Sequence, residues 1–275
     1  MTRKPKKRKS KGRTAKNSNK FELYELSVQE PEADCDFIRQ AWRELKGCEP
    51  RTLREDFCGT AITAIEWVKQ DETHTAVGID LDGPTLEVAR KRIKSRLPDD
   101  ANARMTLLQE NVLTTSPEPS DCILATNFSY FIFKERAQLK EYFAAAYRGL
   151  ADGGMMILDA YGGSDAFLEM EEPRECEGFT YVWDQDYYSP VTGHVINHIH
   201  FDFNDGSRIE KAFTYEWRLW TLPEIQELLR EAGFSQVTVY WEGTEEGTED
   251  GNGEWSVTKT GEADKGWVVY IAAEK

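Results

Sequence analysis

The sequence lacks any run of 18 apolar residues, so none of its helices is expected to span a membrane. It also lacks a CxxC pair. Its five cysteines, Cys35, Cys48, Cys58, Cys122 and Cys176, are scattered and odd in number. That excludes a zinc ribbon or a disulfide framework and suits a reducing compartment. Histidine is scarce, with four residues, and three of them (His194, His198 and His200) sit at even positions of one short segment. Such spacing on a flat strand face rarely converges on a metal with a fourth ligand. No metal site is therefore expected, although one of the three could act as a general base. No apolar stretch of the secretory kind occurs near Met1. The expected location is cytoplasmic, or nuclear through Lys6-Lys7-Arg8-Lys9 in a host that has a nucleus.

Acid is missing from residues 1–20, which carry ten Lys/Arg. The remainder carries 24 basic and 49 acidic groups, a net charge of −25. The first segment has too few apolar residues to fold by itself. It is expected to be a disordered basic tail, free to touch nucleic acid or an acidic partner. The acidic body repels nucleic acid. With 40% hydrophobic and 12% aromatic residues, positions 21–275 suffice for one packed domain.

Within that domain, helical and strand periods alternate. Phe37, Ile38, Ala41, Trp42 and Leu45 recur at helical spacing, with Gly47 as a stop. Strands are expected at 52–58, 75–80, 104–110, 121–127 and 155–161, with helices over 60–69, after Asp82, and over 134–150. Five strands alternating with helices require a doubly wound parallel sheet covered on both faces. The pattern changes at residue 178, where three antiparallel strands (178–188, 193–204 and 208–219) form a β insert. A capping box, Thr221 to Glu224, opens a last helix that ends at Gly233. Two final strands, 235–242 and 266–273, flank an acidic, glycine-rich loop of about twenty residues, expected to be mobile.

The chemistry concentrates in Leu53-Arg-Glu-Asp-Phe-Cys-Gly-Thr-Ala61, where the first strand turns into the first helix of the sheet. A nucleotide-like ligand sits at such a turn. Gly59, having no Cβ, lets backbone approach it closely. The segment resembles the first motif of class I, Rossmann-like S-adenosylmethionine-dependent methyltransferases, small-molecule branch. Glu55, Cys58, Gly59 and Thr60 match, whereas Phe57 and Ala61 replace two of the usual glycines. The resemblance implies a seven-stranded sheet whose last strand is antiparallel, with S-adenosylmethionine held by Glu55, Phe57, Cys58, Gly59 and Thr60. It gives Asp80, 22 positions after Cys58, the ribose hydroxyls, with Leu81 along the adenine. Asn111 and Val112 follow at the third strand end, Glu110 being the alternative to Asn111. Asn127 and Tyr130, in Asn127-Phe-Ser-Tyr130, share the first and last residues of the Asn-Pro-Pro-Tyr signature of amino-group methyltransferases. They are the candidate catalytic or pocket-lining pair, and Asn127 also borders the cofactor. Trp183, Trp217 and Trp220 are candidates to cover the site from the insert. Tyr24 and Ser27-Val28-Gln29 are candidates to fold over it.

A dinucleotide oxidoreductase is the competing reading. It needs G-x-G-x-x-G to cradle a pyrophosphate, and only one of those glycines is present. Glu55 and Asp56 would also repel a pyrophosphate, each by roughly 4 kcal/mol at 4 Å and an effective dielectric of 20. The expected activity is methyl transfer to an unidentified small-molecule acceptor. The alternatives are an RNA or protein methyltransferase docking through the basic tail, or a cofactor-binding protein without catalysis.

Overall fold

The computed structural model describes residues 12–245 and 251–275. The Lys6-Lys7-Arg8-Lys9 run lies outside the described residues. Two helices, α1 (Lys20–Val28) and α2 (Pro31–Lys46), come first. α2 stops where Gly47 takes a left-handed φ of 69° and donates its N–H to the Arg43 carbonyl. The alternating body follows as β1 (Thr52–Asp56), α3 (Ile62–Gln70), β2 (Thr75–Asp80), α4 (Gly83–Arg96), short α5 (Asp99–Asn102), β3 (Met105–Gln109), β4 (Ser120–Ala125), α6 (Arg136–Gly149) and β5 (Leu150–Gly162). An antiparallel insert, β6 (Met170–Cys176), β7 (Phe179–Tyr188), β8 (His194–Asp202) and β9 (Arg208–Arg218), leads to α7 (Leu222–Ala232). β10 (Gln236–Thr244), β11 (Gly251–Thr258) and β12 (Trp267–Glu274) then finish the chain.

The main sheet runs β11-β10-β12-β5-β4-β1-β2-β3. β1 to β5 are parallel, and β12 runs antiparallel to both β5 and β10. The sheet has eight strands rather than the expected seven, because β11, read as polar loop, pairs antiparallel with β10. The insert also begins earlier than expected and has four strands rather than three. Its extra strand β6 is charged and contains Pro173. An edge strand tolerates proline because one side of it needs no N–H.

One face of the sheet is covered by α2, α3 and α4, with Trp67, Leu86 and Ile93 in the core. The other is covered by α6 and α7, with Tyr142, Phe143 and Leu228, and this core continues into Val195 and Trp217 of the insert. Each such side chain stabilises the fold by about 1.5–3 kcal/mol. The capping box of α7 forms as expected, and Gly233 ends that helix at φ 117°.

The expected tail shrinks from its inner end. Arg13 lies over the Phe179 ring and pairs with Glu22 at 3.5 Å. Ala15 N–H donates to Ser207 Oγ, and Lys20 Nζ donates to the Ala212 carbonyl, 4.6 Å above the Phe213 ring. These residues are fastened to the insert.

Arg54 is wholly buried and grips Asp56 through Nε–Oδ1 at 2.7 Å and Nη2–Oδ2 at 3.1 Å. Tyr142 donates to the same carboxylate. Burial pushes the Asp56 pKa up, and Arg54 opposes that. A Cβ on Gly149 would stand 2.5 Å from Arg54 Nη1. A free arginine tip would swing away, but this one is pinned by its ion pair. Gly149→Ala is expected to destabilise the chain by about 1–3 kcal/mol. Thermal melts should show a fall of roughly 2–4 °C for each kcal/mol. An unchanged melting temperature would mean that Arg54 is not pinned.

Candidate active site

In an open parallel sheet, ligands bind beyond the strand C-termini where the strand order reverses. Here that point lies between β1 and β4. β1 leaves the sheet through Phe57 to Ala61. Phe57 and Ala61 both have φ 56°, the left-handed backbone that glycine would adopt freely. The turn therefore keeps a glycine-type shape without the glycines, at about 1–2 kcal/mol per residue. Packing offsets this: the Phe57 ring sits 5.4 Å from Tyr142, and Ala61 is fully buried. Cys58 N–H donates to the Ile79 carbonyl at 2.9 Å, which ties the turn to β2. A Cβ on Gly59 would find its nearest neighbour, Thr85 Cγ2, only at 3.9 Å, so its ligand side is open.

Side chains in this motif split by strand face. Arg54 and Asp56 share one and Glu55 takes the other. Asp56 is thus bound to Arg54 and does not face a ligand, which corrects the expectation of two acids beside it. Glu55 accepts the Ala64 N–H at the start of α3 at 2.9 Å. Burial above all, then Asp34, Asp80 and Asp56, raise its pKa to about 8 against the pull of that N–H. The Cys58 thiol lies beneath the turn, where a Cβ on Gly78 would come within 2.9 Å of it. It packs in the core, and burial holds its pKa high. Thr60 is buried as well.

Asp80 ends β2. Its Oδ2 accepts Gly59 N–H and its Oδ1 accepts Asp82 N–H, both at 2.8 Å. Next to it Leu81 is 65% exposed, an apolar shelf at the crevice. Asp82 occupies the N-cap position of α4, but its carboxylate accepts the Thr85 hydroxyl rather than a helix N–H. Asn111 forms an Asx turn through Leu113 N–H, and Glu110 accepts the Thr115 hydroxyl. Val112 is 5% exposed and belongs to the core, so its side chain is not a pocket wall.

β4 ends in a second strained turn. Asn127 and Phe128 have φ 56° and 55°, consecutively left-handed without glycine. The Asp159 carboxylate of β5 holds both, accepting Asn127 N–H at 2.6 Å and Phe128 N–H at 2.9 Å. Burial pushes the Asp159 pKa to about 8 despite these two donors. Tyr130 is corrected from a catalytic candidate to a core residue. It is fully buried, and its hydroxyl donates to the Asp159 carbonyl at 2.7 Å.

Asn127 and Phe128 line a cavity of about 440 Å³ between this turn and the insert. Tyr161, Tyr181, Trp183, Tyr215 and Trp217 form its aromatic walls, and Tyr24 and Val28 of α1 close it. Trp220 is elsewhere, in the core, donating to the Phe133 carbonyl with Arg218 stacked on it.

Residues 57–154 match the family model described as a methyltransferase domain. The fold of the chain is that of the class I, Rossmann-like methyltransferases. It is shared with an S-adenosylmethionine-dependent methyltransferase from Clostridium acetobutylicum, at 16% identity, TM-score 0.66, and coverage of 92% of this chain and 96% of that one. CalS10, an amino pentose methyltransferase from Micromonospora echinaspora, gives 15%, 0.64, 93% and 96%. The sugar N-methyltransferase KedS8 from Streptoalloteichus gives 16%, 0.62, 100% and 98%. No curated protein matches the chain in sequence.

His194, His198 and His200 lie on the opposite face of β8 from Ile199, which lines the cavity. His198 Nε2 meets Asp186 and His200 Nε2 meets Asp184, both at 3.1 Å. Two triads that share Asp184, Glu171–Asp184–His200 and Asp184–Asp186–His198, each bring their ligand atoms close enough to hold an ion. However, His200 Nδ1 accepts Lys211 N–H, so in the neutral ring Nε2 carries the proton and donates to Asp184. Their arrangement suits hydrogen bonding within the insert.

Sequence reasoning missed Asp159 and Asp34. Asp34 accepts Tyr270 OH at 2.8 Å and Thr63 OH at 3.2 Å, and burial raises its pKa to about 6. An acid inside an apolar run, as in Met155-Met-Ile-Leu-Asp159, was the available signal.

Proposed function

We propose that this chain is a methyltransferase that uses S-adenosylmethionine to methylate a small molecule held in the aromatic cavity. One observation carries this reading: the Asn127-Phe128 turn stands at the C-terminal edge beside the β1 crevice and also forms a wall of the cavity. A single backbone segment can thus border donor and acceptor together.

The crevice suits the donor. Asp80 offers a carboxylate for the ribose hydroxyls and Leu81 an apolar surface for adenine. Gly59 leaves room for close backbone approach, and Asn111 can address the adenine edge with its amide. When bound, S-adenosylmethionine supplies a methyl group on a positively charged sulfur. The protein's work is positional. Its aromatic walls exclude water and hold the acceptor in line, which supplies several kcal/mol of the barrier when geometry is near-attack. Aromatic faces also attract a cation by about 0.5–2 kcal/mol. A volume of 440 Å³ suits a small ligand. The amino pentose and sugar nitrogen acceptors named for the structural relatives support an amine of similar size. Arg13 and Lys20 are engaged by the insert, which favours this reading over docking of RNA or protein.

Thermal-shift measurements with S-adenosylmethionine, S-adenosylhomocysteine, NAD and NADP test the reading. Stabilisation by the first two is expected, and stabilisation by NAD alone would overturn it.

A further inference from the structure

The aromatic cavity adjoins a larger one of about 1160 Å³ for which the proposed reaction has no use. The two share Tyr161, Glu172, Trp183 and Val268. The larger cavity offers acceptors of hydrogen bonds far more than donors. Among the described residues, Asp165, Glu172, Glu242, Glu262 and Asp264 line it against one cation, Lys265. Gln185, 8% exposed, spends its Nε2 on the carbonyls of Asp165 and Leu168, both at 2.9 Å. Among the described residues no group donates to its Oε1, which is left for the cavity it lines.

Trp241 and Trp267 add an aromatic platform, with ring centroids 5.4 Å apart. Each indole rests on a glycine. A Cβ on Gly261 would fall 2.4 Å from the Trp241 ring, and one on Gly162 would fall 2.3 Å from the Trp267 ring. Both positions admit only glycine while the rings stay where they are.

We propose that this second cavity holds the non-reacting part of the acceptor, and that this part is cationic and rich in N–H donors, an oligoamine-type tail. The inference rests on the methyl-transfer reading of the aromatic cavity. Carboxylates and an amide oxygen satisfy ammonium groups directly, and indole faces attract them further. A phosphate-bearing acceptor would meet the same carboxylates with the opposite sign of interaction.

The test uses the full chain saturated with S-adenosylhomocysteine and titrated calorimetrically with spermidine or with glucosamine 6-phosphate. Spermidine is expected to bind at least tenfold more tightly than glucosamine 6-phosphate. That affinity should fall at least fivefold in Trp241→Ala and in the exposed double variant Glu262→Gln/Asp264→Asn, which leaves the core untouched. Equal or tighter binding of glucosamine 6-phosphate, or spermidine binding unmoved by the double variant, would overturn the proposal. Failure to bind S-adenosylhomocysteine would instead sink the methyl-transfer reading. Retained S-adenosylhomocysteine binding without spermidine binding sinks this inference alone.

Discussion

Asp80→Ala is expected to weaken S-adenosylmethionine binding by roughly 30- to 1000-fold. Two hydrogen bonds from ribose to a charged acceptor would be lost, together about 2–4 kcal/mol, and each 1.4 kcal/mol is tenfold in affinity. The same substitution strips Gly59 N–H and Asp82 N–H of their acceptor, so the turn that shapes the crevice loosens as well. Asp80→Asn keeps one oxygen and should fall between alanine and the parent. Isothermal calorimetry with S-adenosylmethionine measures this directly. A dissociation constant within threefold of the parent in Asp80→Ala would remove the proposed donor pocket.

Asp159→Asn is expected to lower kcat by about 100-fold or more, with a smaller loss of donor affinity, because the turn borders both donor and acceptor. The carboxylate accepts two adjacent N–H groups, and an amide has one oxygen for them and turns an NH₂ toward the other. Two left-handed residues cost about 1–2 kcal/mol each, so the turn relaxes once its clamp is gone. Relaxation moves a wall that borders the acceptor, and small misplacements are expensive in rate. A kcat within threefold of the parent would show that the turn holds its shape unaided. The substitution also has a pH signature. The folded pKa of Asp159, about 8, lies above its ordinary value of 3.8. Its contribution to stability is complete below the ordinary value and is lost as pH rises through about 8. Glu55, raised to about 8, and Asp34, raised to about 6, act in the same direction. Melting temperature should therefore fall between pH 5 and 9 in the ligand-free parent, and fall less in Asp159→Asn. Parallel curves would show that Asp159 does not titrate in this window.

The parallel half of the sheet was legible because β2, β4 and β5 carry compact apolar runs and the helices between strands 3.6-residue stripes, while β1, Thr-Leu-Arg-Glu-Asp, was marked by the glycine turn that follows it. The places of Gly59 in the turn and Asp80 at the strand end were legible for a related reason, since a glycine turn and a strand-end acid lie at fixed offsets in such a sheet, while their part in holding a donor belongs to the proposal. β6 and β11 were not. Their stability comes from partners far along the chain, and their sequences, charged around Pro173 and glycine-rich after residue 250, carry little strand signal of their own. Tyr130 was misread because a local motif does not report burial. Only the packing of Phe131, Phe143 and the Asp159 carbonyl around it shows that it faces inward. Asp56 was misread because alternation along β1 matters more than its neighbour in sequence.

In the proposed reaction the walls around the acceptor come mostly from residues 170–218, whereas the donor crevice is built mainly from β1, β2 and their turns. On that reading, what is methylated and how the methyl arrives are specified by largely separate stretches of chain. Descendants of this architecture can drift toward new acceptors by rewriting one contiguous block of about fifty residues, with the reagent-handling half inherited intact.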